Sequence, residues 1–552
     1  MPSSKIANLF LLFILCLLFA CGAYKQPNFS KKDVRSAQKL AGLDFAKSDI
    51  DTMYRYLGRN AVGYDSMRSY DLDYEVFPAL LFDPHPNGFI IPTNQKIVKW
   101  TAEKVELPKE KAALAYFSIR QLAYLLQTQQ ITSEALTKLY LDRIKKYDAT
   151  LQAVTVLTEE RALQRAKKVD AEIKAGNYKG LLHGIPYGVK DLMALEGYKT
   201  TWGAEPYKNQ QLNYTASVIE KLDQAGAILI AKLTSGALAR GDVWYGGKTK
   251  NPWDVTQGAS GSSAGPGAAT AAGLVAFSLG TETLGSIVSP SNRCGLTGLR
   301  PTYGRVTRHG TMSLSWSMDK IGPMGRSAED CAIVLAAIHG TDGKDRTVRA
   351  AAFNYDSSLD LRKLKIGYLK ADFDKDSTAI GKNNQAALAT FEAMGLQLNA
   401  VKLPANFPYN AFDIILRAEA GAFFDDLVRS KKVDEMVEQT YRSRANSLRQ
   451  SRFIPAVEYL QANRHRRVLI EEMNTIFNKF DVIIAPTFGR QLLITNLTGH
   501  PALALPNGFD KKGRPTSITL LGKLYDEATL LAFGQQFQER TNFEEQHPPK
   551  FE

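Results

Sequence analysis

Serine hydroxyls that could act as nucleophiles are concentrated in two turns of this sequence. The first turn reads GASGSSAGPG over residues 258–267, and the second reads TETLGSIVSP over residues 281–290. A serine hydroxyl is a weak nucleophile until a neighbouring base takes its proton. The chemistry of the two turns therefore depends on which base in the chain can reach them.

One arrangement would place a histidine beside the first turn. The pentapeptide G-x-S-x-G makes Ser263 a candidate nucleophile of an α/β-hydrolase, with His465 or His500 downstream as the base. Such an elbow follows an apolar strand, whereas KNPWDVTQ stands before this one. A second arrangement, S-x-x-K at Ser36–Lys39, lies near the N-terminus without the motifs that accompany it in other enzymes, and we interpret it as a chance match.

A third arrangement needs no histidine, because a neutral lysine can activate a serine. Lys190 lies near the end of GIPYGVKDL, an apolar run that predicts a buried strand. An exposed lysine has a pKa of about 10.4 and is a poor base at neutral pH, but burial lowers that value. The alternative is an ion pair between Lys190 and the adjacent Asp191, and local sequence leaves both interpretations open.

The setting of the first turn argues against a flexible linker. It is followed by AATAAGLVAFSLG, which is apolar on nearly every side and predicts one buried helix. The second turn then presents Ser286 directly after Gly285. Two serine-bearing turns joined by one buried helix can point towards the same place.

Four segments of the chain resemble the amidase signature family in order and spacing. They read LLHGIPYGVKDL, GASGSSAGPGAATAAG, SLGTETLGSIVSPSNRCGLTGLRPTYGRV and NLTGHPALALPNG, and the resemblance extends from about Tyr116 to the C-terminus. It implies a serine–serine–lysine triad made of Lys190, a bridging Ser262 that follows a cis peptide bond, and the nucleophile Ser286. The 24 positions between the two serines fit the family.

The resemblance also implies the reaction. Ser286 would attack an amide carbonyl and form an acyl-enzyme, with the backbone N–H groups of Thr283, Leu284, Gly285 and Ser286 as the oxyanion hole. The substrate would be a small-molecule or peptide amide, and no metal or organic cofactor would be required. Two other functions remain open: a glutamine amidotransferase A-subunit-like role, and a catalytically weak surface binding protein on the same scaffold.

The second turn departs from the family pattern T-D-T-G-G-S-I-R. Glu282 is a mild change, Leu284 replaces a glycine, and Val288 removes an arginine, so any partner of Glu282 must come from elsewhere. Leu284 cannot easily adopt a positive φ and would narrow the pocket. In the first turn, Ala264 and Pro266 also depart from the usual GGSSGGS.

Short apolar runs alternate with helical segments and predict an α/β fold. We expect a large mixed β-sheet covered by helices on both faces over residues 112–552, with an N-terminal extension over residues 21–111. Ser133 and Ser327 are predicted to begin helices, and Gly176 and Gly340 to end them. The predicted strands lie within residues 184–192, 226–233, 365–369, 481–487, 501–506 and 517–522.

The first residues resemble an export signal. An apolar stretch from Ile6 to Cys21 ends in LFAC, which is similar to a bacterial lipobox, so residues 1–20 are predicted to be a signal peptide and Cys21 a lipidation site. A plain secretory signal cut nearby is the alternative. This predicts an exported protein of the bacterial cell envelope that is anchored to a membrane through lipid.

The remaining composition is ordinary for a globular protein. The net charge is +13, but no nucleic-acid motif accompanies it, and no nucleic-acid partner is expected. The densest basic cluster, NRHRRVL over residues 463–469, is predicted to be a solvated helix face. Cys294 and Cys331 are predicted to be small core residues rather than a disulfide or zinc site.

Overall fold

A computed structural model describes residues 28–552, so the predicted signal peptide and Cys21 lie outside the described residues. The described chain divides into two compact units, one up to Val76 and one from Phe77 to Glu552. The first unit contains the helices α1 (Lys31–Leu40) and α2 (Lys47–Arg68). The predicted boundary between residues 111 and 112 stays a prediction.

The second unit is an α/β structure, as predicted. Its strands are β1 (Val154–Leu157), β2 (Pro186–Lys190), β3 (Ile228–Leu233), β4 (Val243–Trp244), β5 (Gly247–Lys248), β6 (Lys250–Asn251), β7 (Asp254–Gly258), β8 (Phe277–Glu282), β9 (Thr297–Arg300), β10 (Lys320–Gly325), β11 (Ile366–Tyr368), β12 (Leu398–Ala400), β13 (Val482–Pro486), β14 (Ala502–Phe509) and β15 (Pro515–Gly522).

Fifteen helices of the described chain follow the first unit. They are α3 (Ile119–Gln127), α4 (Ser133–Leu151), α5 (Glu159–Lys174), α6 (Ser217–Gln224), α7 (Ala264–Ala271), α8 (Val288–Cys294), α9 (Ala328–Ile338), α10 (Lys370–Asp374), α11 (Ala379–Ala393), α12 (Asp413–Phe423), α13 (Asp425–Arg429), α14 (Arg444–Ser451), α15 (Ala456–Phe477), α16 (Arg490–Thr498) and α17 (Glu527–Thr541).

Eleven of the strands form one mixed sheet in the order β1-β3-β2-β8-β10-β9-β14-β15-β13-β11-β12. Strand β2 lies parallel to both β3 and β8, whereas β8, β10, β9, β14 and β15 pair antiparallel in succession. Each of the six predicted strands is present in this sheet, with ends within a few residues of the prediction. The carboxyl ends of parallel neighbours lie at the same edge of a sheet, so β2 and β8 end side by side.

Two apolar cores lie on opposite faces of the sheet. Alternate residues of a strand point to opposite faces, and on β13 Val482 and Ile484 belong to one core while Ile483 and Ala485 belong to the other. Helices α4, α9 and α17 contribute to the first core, and α12, α15 and α16 contribute to the second. The sheet is therefore covered by helices on both faces, as predicted.

The predicted helix after the first serine turn is only partly correct. Helix α7 ends at Ala271, Gly273 adopts a φ of +63°, and the chain continues as β8 near the middle of the sheet. A helix and a strand, rather than one buried helix, thus connect the two serine turns. An apolar run buried on all sides has no periodicity that separates a helix from a strand.

Two further predictions about helices need correction. Thr132 rather than Ser133 caps α4, because its hydroxyl accepts the N–H of Ala135 at 3.1 Å. The basic cluster on α15 is not a solvated face throughout, since Arg466 is 1% exposed and donates to the carbonyl and hydroxyl oxygens of Ser317, each at 2.8 Å. The cap at Ser327 is confirmed by its hydrogen bond from Asp330 N–H at 3.0 Å.

Both predicted core cysteines, Cys294 and Cys331, are buried and free. Among residues 28–552, none of the helices is both apolar enough and long enough to span a bilayer.

Candidate active site

Lys190 is the last residue of β2 and is fully buried. Its Nζ donates to three hydroxyl oxygens: Ser262 Oγ at 2.8 Å, Ser263 Oγ at 3.1 Å and Thr281 Oγ1 at 2.8 Å. Thr281 lies near the end of the neighbouring strand β8, which explains how it reaches the same point. The lysine is therefore solvated by hydroxyl groups of the protein instead of by water.

Burial lowers the pKa of Lys190 to about 7, although the charges of Asp319 and Glu282 act in the opposite direction. The adjacent Asp191 does not pair with it. Asp191 instead forms an ion pair with Lys232 of β3, at 2.8 Å and with both side chains fully buried. The structural alternative for Lys190, an ion pair with its neighbour, is thus excluded by geometry.

Ser262 lies in a bend whose backbone is tightly enclosed. The Gly261–Ser262 peptide bond is cis, and the carbonyl of Ser262 accepts the N–H of Gly236 at 3.2 Å. A Cβ atom on Gly261 would meet the carbonyl oxygen of Gly241 at 1.8 Å. Only glycine fits at position 261, so the small residues of the first turn are required by close backbone approach.

Ser263 is fully buried, and its hydroxyl contacts the strand beneath it. Ser263 Oγ donates to the carbonyl of Thr281 at 3.1 Å and accepts the N–H of Thr281 at 3.2 Å. Neither candidate histidine is a hydrogen-bond partner of Ser263: His500 is buried and bonds to Thr498 Oγ1 at 2.7 Å, and His465 lies on the exposed face of α15. The histidine-dependent elbow has no geometric support.

Ser286 lies in the turn between β8 and α8 and is 8% exposed. Its carbonyl accepts the N–H of Ser263 at 3.2 Å, which joins the two serine turns directly. Gly285 has a φ of +86°, a conformation that favours glycine, whereas Leu284 has a negative φ. The left-handed position of the turn is therefore at Gly285, and Leu284 causes no backbone strain.

Backbone N–H groups of this turn are available for a ligand. In the part of the chain that the structure describes, the N–H groups of Leu284, Gly285 and Ser286 donate to no protein acceptor. Ser286 Oγ likewise makes no hydrogen bond to the described residues. Buried N–H groups normally have partners, so three successive donors beside a serine hydroxyl are suited to an oxyanion.

Glu282 obtains its partner from another strand. Its carboxylate accepts the N–H groups of Ile287 and Val288 at 2.9 and 3.0 Å, and Arg300 Nη1 donates to it at 2.8 Å. Burial acts to raise the pKa of Glu282, but Arg300, Lys320 and these backbone donors lower it to about 2. Arg300 thus supplies the charge that Val288 lacks, and the ionised Glu282 fixes the backbone just after Ser286.

Two residues of the site were missed by the sequence analysis. Thr281 contacts Lys190, and Asp319 accepts a hydrogen bond from Thr283 Oγ1 at 2.5 Å. Thr281 stands in the quoted turn and adjoins the predicted triad by strand register, which is visible only once β8 is recognised as a strand. Asp319 is distant in sequence, and no motif indicated it. Within residues 28–552, no cluster of His, Cys, Asp and Glu is arranged to hold a metal ion.

Comparison with known proteins shows the family. The amidase family model matches residues 135–531. The chain is 34% identical over 482 residues to the A-subunit of glutamyl-tRNA(Gln) amidotransferase from Acinetobacter baumannii, and the match covers 77% of this chain and 96% of that protein. It is 32% identical over 484 residues to the protein of the same name from Carboxydothermus hydrogenoformans, with 79% and 99% covered. The chain belongs to the amidase family.

Solved structures agree with the fold. The peptide amidase from Stenotrophomonas maltophilia matches with a TM-score of 0.71 and 27% identity, covering 78% of this chain and 98% of that chain. A bacterial aryl acylamidase of the amidase signature family matches with a TM-score of 0.69 at 21% identity, covering 78% and 97%, which shows the shared fold. Family membership supports hydrolase chemistry on carbon–nitrogen bonds.

Proposed function

We propose that this protein is an amidohydrolase that cleaves carboxylic amides through an acyl-Ser286 intermediate and releases ammonia or an amine. The observation that supports it best is Lys190, a fully buried lysine whose pKa of about 7 leaves much of it neutral at physiological pH. Its amine contacts a hydroxyl, Ser262 Oγ, at 2.8 Å and no carboxylate. This is the environment that a lysine base needs.

In the proposed reaction, the neutral Lys190 takes a proton from Ser262 as Ser262 takes one from Ser286. The Ser286 Oγ–carbon bond forms, and the N–H groups of Leu284, Gly285 and Ser286 stabilise the negative oxygen. The carbon–nitrogen bond then breaks, and the departing nitrogen receives the proton through Ser262. Water hydrolyses the ester by the same proton path and releases the acid.

The experiment that tests this function traps the intermediate. Purified protein lacking the leader would be mixed with amides of peptides and small molecules, and ammonia or amine release would be followed. Acid quenching and peptide mass spectrometry should find the acyl group on Ser286. The Ser286→Ala variant serves as the control, and an acyl group on Ser263, or turnover by Ser286→Ala, would contradict the proposal.

A second candidate is a glutamine amidotransferase A-subunit-like function, since relatives at 34% and 32% identity bear that name. Glutamine in this role would be the preferred source of ammonia. Comparing kcat/KM for glutamine with that for peptide amides and aryl amides separates the two functions. A clear preference for glutamine would favour the amidotransferase-like role, whereas poor use of glutamine would favour a general amidase.

The proposal includes export and lipid anchoring at Cys21. The leader from Ile6 to Cys21 supports it, because an apolar run ending in LFAC is similar to a lipobox. Cells fed an alkyne fatty acid should produce a labelled protein in the membrane fraction. The Cys21→Ser variant should lose the label, and a label that persists in this variant would contradict anchoring at Cys21.

A further inference from the structure

A segment of the second unit that precedes the family match packs on a loop beside the candidate active site. Residues 77–92 read FPALLFDPHPNGFIIP, and we refer to them as the strap. The family match begins at residue 135. The strap is fixed along its length: Arg467 Nη1 donates to the carbonyl of His85 at 2.7 Å, and Ala352 N–H donates to that of Pro92 at 2.6 Å.

The loop in question is residues 314–319, which we call the serine loop. Its last residue, Asp319, connects it to the nucleophile turn, because one carboxylate oxygen accepts Thr283 Oγ1 at 2.5 Å. The other oxygen accepts the N–H groups of Leu314 and Ser315 at 2.7 and 3.0 Å. The position of Thr283, and with it the first residue of the predicted oxyanion turn, therefore depends on the shape of this loop.

Three buried side chains bind the opposite side of the serine loop. Tyr303 Oη and Arg308 Nη1 donate to the carbonyl of Trp316 at 2.7 and 2.8 Å, and Arg466 Nη2 donates to the carbonyl of Ser317 at 2.8 Å. Arg308 also pairs with Asp345, at 3.1 Å. Arg466 forms no ion pair with a carboxylate in the described part of the chain, so its guanidinium depends on other neighbours.

The strap covers these groups with aromatic rings. The ring of Phe82 lies 3.4 Å from Arg466 Cζ and packs edge-on against Tyr303 with centroids 5.0 Å apart. The ring of Phe77 lies 5.1 Å from Arg308 Cζ. A ring face attracts a guanidinium and keeps water from it, so Phe82 fixes the one buried arginine of this group that has no carboxylate partner.

We propose that Phe82 is a positioning residue for Ser286, acting through Arg466, the serine loop and Asp319 on the nucleophile turn. This inference rests on the proposed function. Without the ring, water reaches Arg466, its hydrogen bonds to Ser317 weaken, and Asp319 no longer fixes Thr283. Since small displacements of reacting groups slow acyl transfer strongly, the loss should appear in the rate of acylation and less in substrate binding.

The test compares two phenylalanines of the strap in the full protein. Phe82→Ala removes the ring on Arg466, whereas Phe89→Ala removes a ring that stacks on His85 at 5.1 Å and anchors the same segment. Acylation would be followed as the rate of Ser286 labelling by a fluorophosphonate probe, in which the Oγ–phosphorus bond forms as fluoride leaves. Thermal midpoints, kcat and KM on an amide substrate complete the set.

We expect Phe82→Ala to slow labelling and kcat about tenfold with a smaller change in KM, and Phe89→Ala to stay within about twofold. Phe82→Tyr should restore the rate because it keeps the ring. If Phe82→Ala does not fold, Phe82→Leu, which keeps apolar volume without a ring face, should show the same loss of rate.

Three results would decide against this inference. Equal rates in the Phe82 and Phe89 variants, or full activity in Phe82→Leu, would overturn it while leaving the proposed function intact. Absence of label on Ser286 in the wild-type protein would overturn the proposed function and this inference together.

Discussion

Two buried lysines on neighbouring strands illustrate how the same side chain serves different purposes. Lys190 of β2 and Lys232 of β3 are both fully buried, and Lys232 is the register partner of Val189, the residue before Lys190. Lys232 contacts the carboxylate of Asp191 at 2.8 Å, whereas Lys190 contacts only hydroxyl oxygens. Burial lowers the pKa of both, to about 7 for Lys190.

The difference lies in what remains to compensate a charge. A buried ion pair stabilises the charged lysine, and removal of one partner leaves the other uncompensated. Hydroxyl groups can solvate either form of an amine, and they can also pass a proton to it. Lys232 is thus suited to structure and Lys190 to proton transfer, although both are buried to the same extent.

The largest effect should come from removing the amine of Lys190. Lys190→Met keeps the volume of the side chain but takes away the base, so kcat/KM should fall roughly 100- to 10,000-fold. The folded state loses no ion pair, so thermal stability should be unchanged or higher. Activity assays and thermal melts on the same preparation check this. Retained activity would mean that another group is the base.

The matched change at Lys232 should affect stability instead. Lys232→Met leaves Asp191 charged and buried, which should lower the free energy of unfolding by about 3–5 kcal/mol. Protein that stays folded should still be labelled at Ser286 by a fluorophosphonate. The double variant Lys232→Met, Asp191→Asn should recover much of the loss in denaturant titrations. A stable but inactive Lys232→Met would reverse the assignment of the two lysines.

The pH dependence should separate the lysines further. Because the pKa of Lys190 is lowered to about 7, the amine is protonated at lower pH, and kcat/KM should fall about tenfold for each pH unit below that point. Between pH 7 and about 10.4 the unfolded chain binds the proton that the folded state has released, so this residue makes stability rise with pH in that window. Lys190→Met should lack this contribution. A rate profile flat from pH 5 to 9 would contradict it.

The smallest effect is expected at Leu284 in the nucleophile turn. Its φ is negative, so Leu284→Gly relieves no strain, and kcat on a small amide should change less than about threefold. The side chain is half-buried beside Ser286, so KM for bulky amides should fall more than KM for small ones. Kinetics on amides of increasing size measure this. A large rise in kcat for all substrates would show that the leucine distorts the turn.

The site was predicted from sequence to the extent that local motifs describe it. Lys190, Ser262 and Ser286 stand in short segments whose order and spacing resemble a family, and the short apolar runs predicted the strands that carry them. Their roles stay a proposal. Contacts between segments distant in the chain could not be predicted, because nothing local links Asp319 to Thr283 or Arg300 to Glu282.

Burial was the other quantity that sequence did not provide. Arg466 belongs to a basic cluster that is typical of a solvated face, yet it is buried under Phe82. Lys190 and Lys232 lie in similar apolar runs, and only the structure shows which one pairs with Asp191. The helix predicted over AATAAGLVAFSLG became a helix followed by β8 for the same reason, since a segment buried on all sides has no informative periodicity.

The central claim is that Lys190 is neutral at the pH at which the protein works. Direct titration tests it: NMR of protein carrying ¹⁵N at the lysine Nζ, with the Lys190 signal identified by its absence in Lys190→Met. The account predicts a midpoint near pH 7. A Lys190 that stays protonated up to the ordinary lysine pKa of about 10.4 would contradict the proposed base and the reaction built on it.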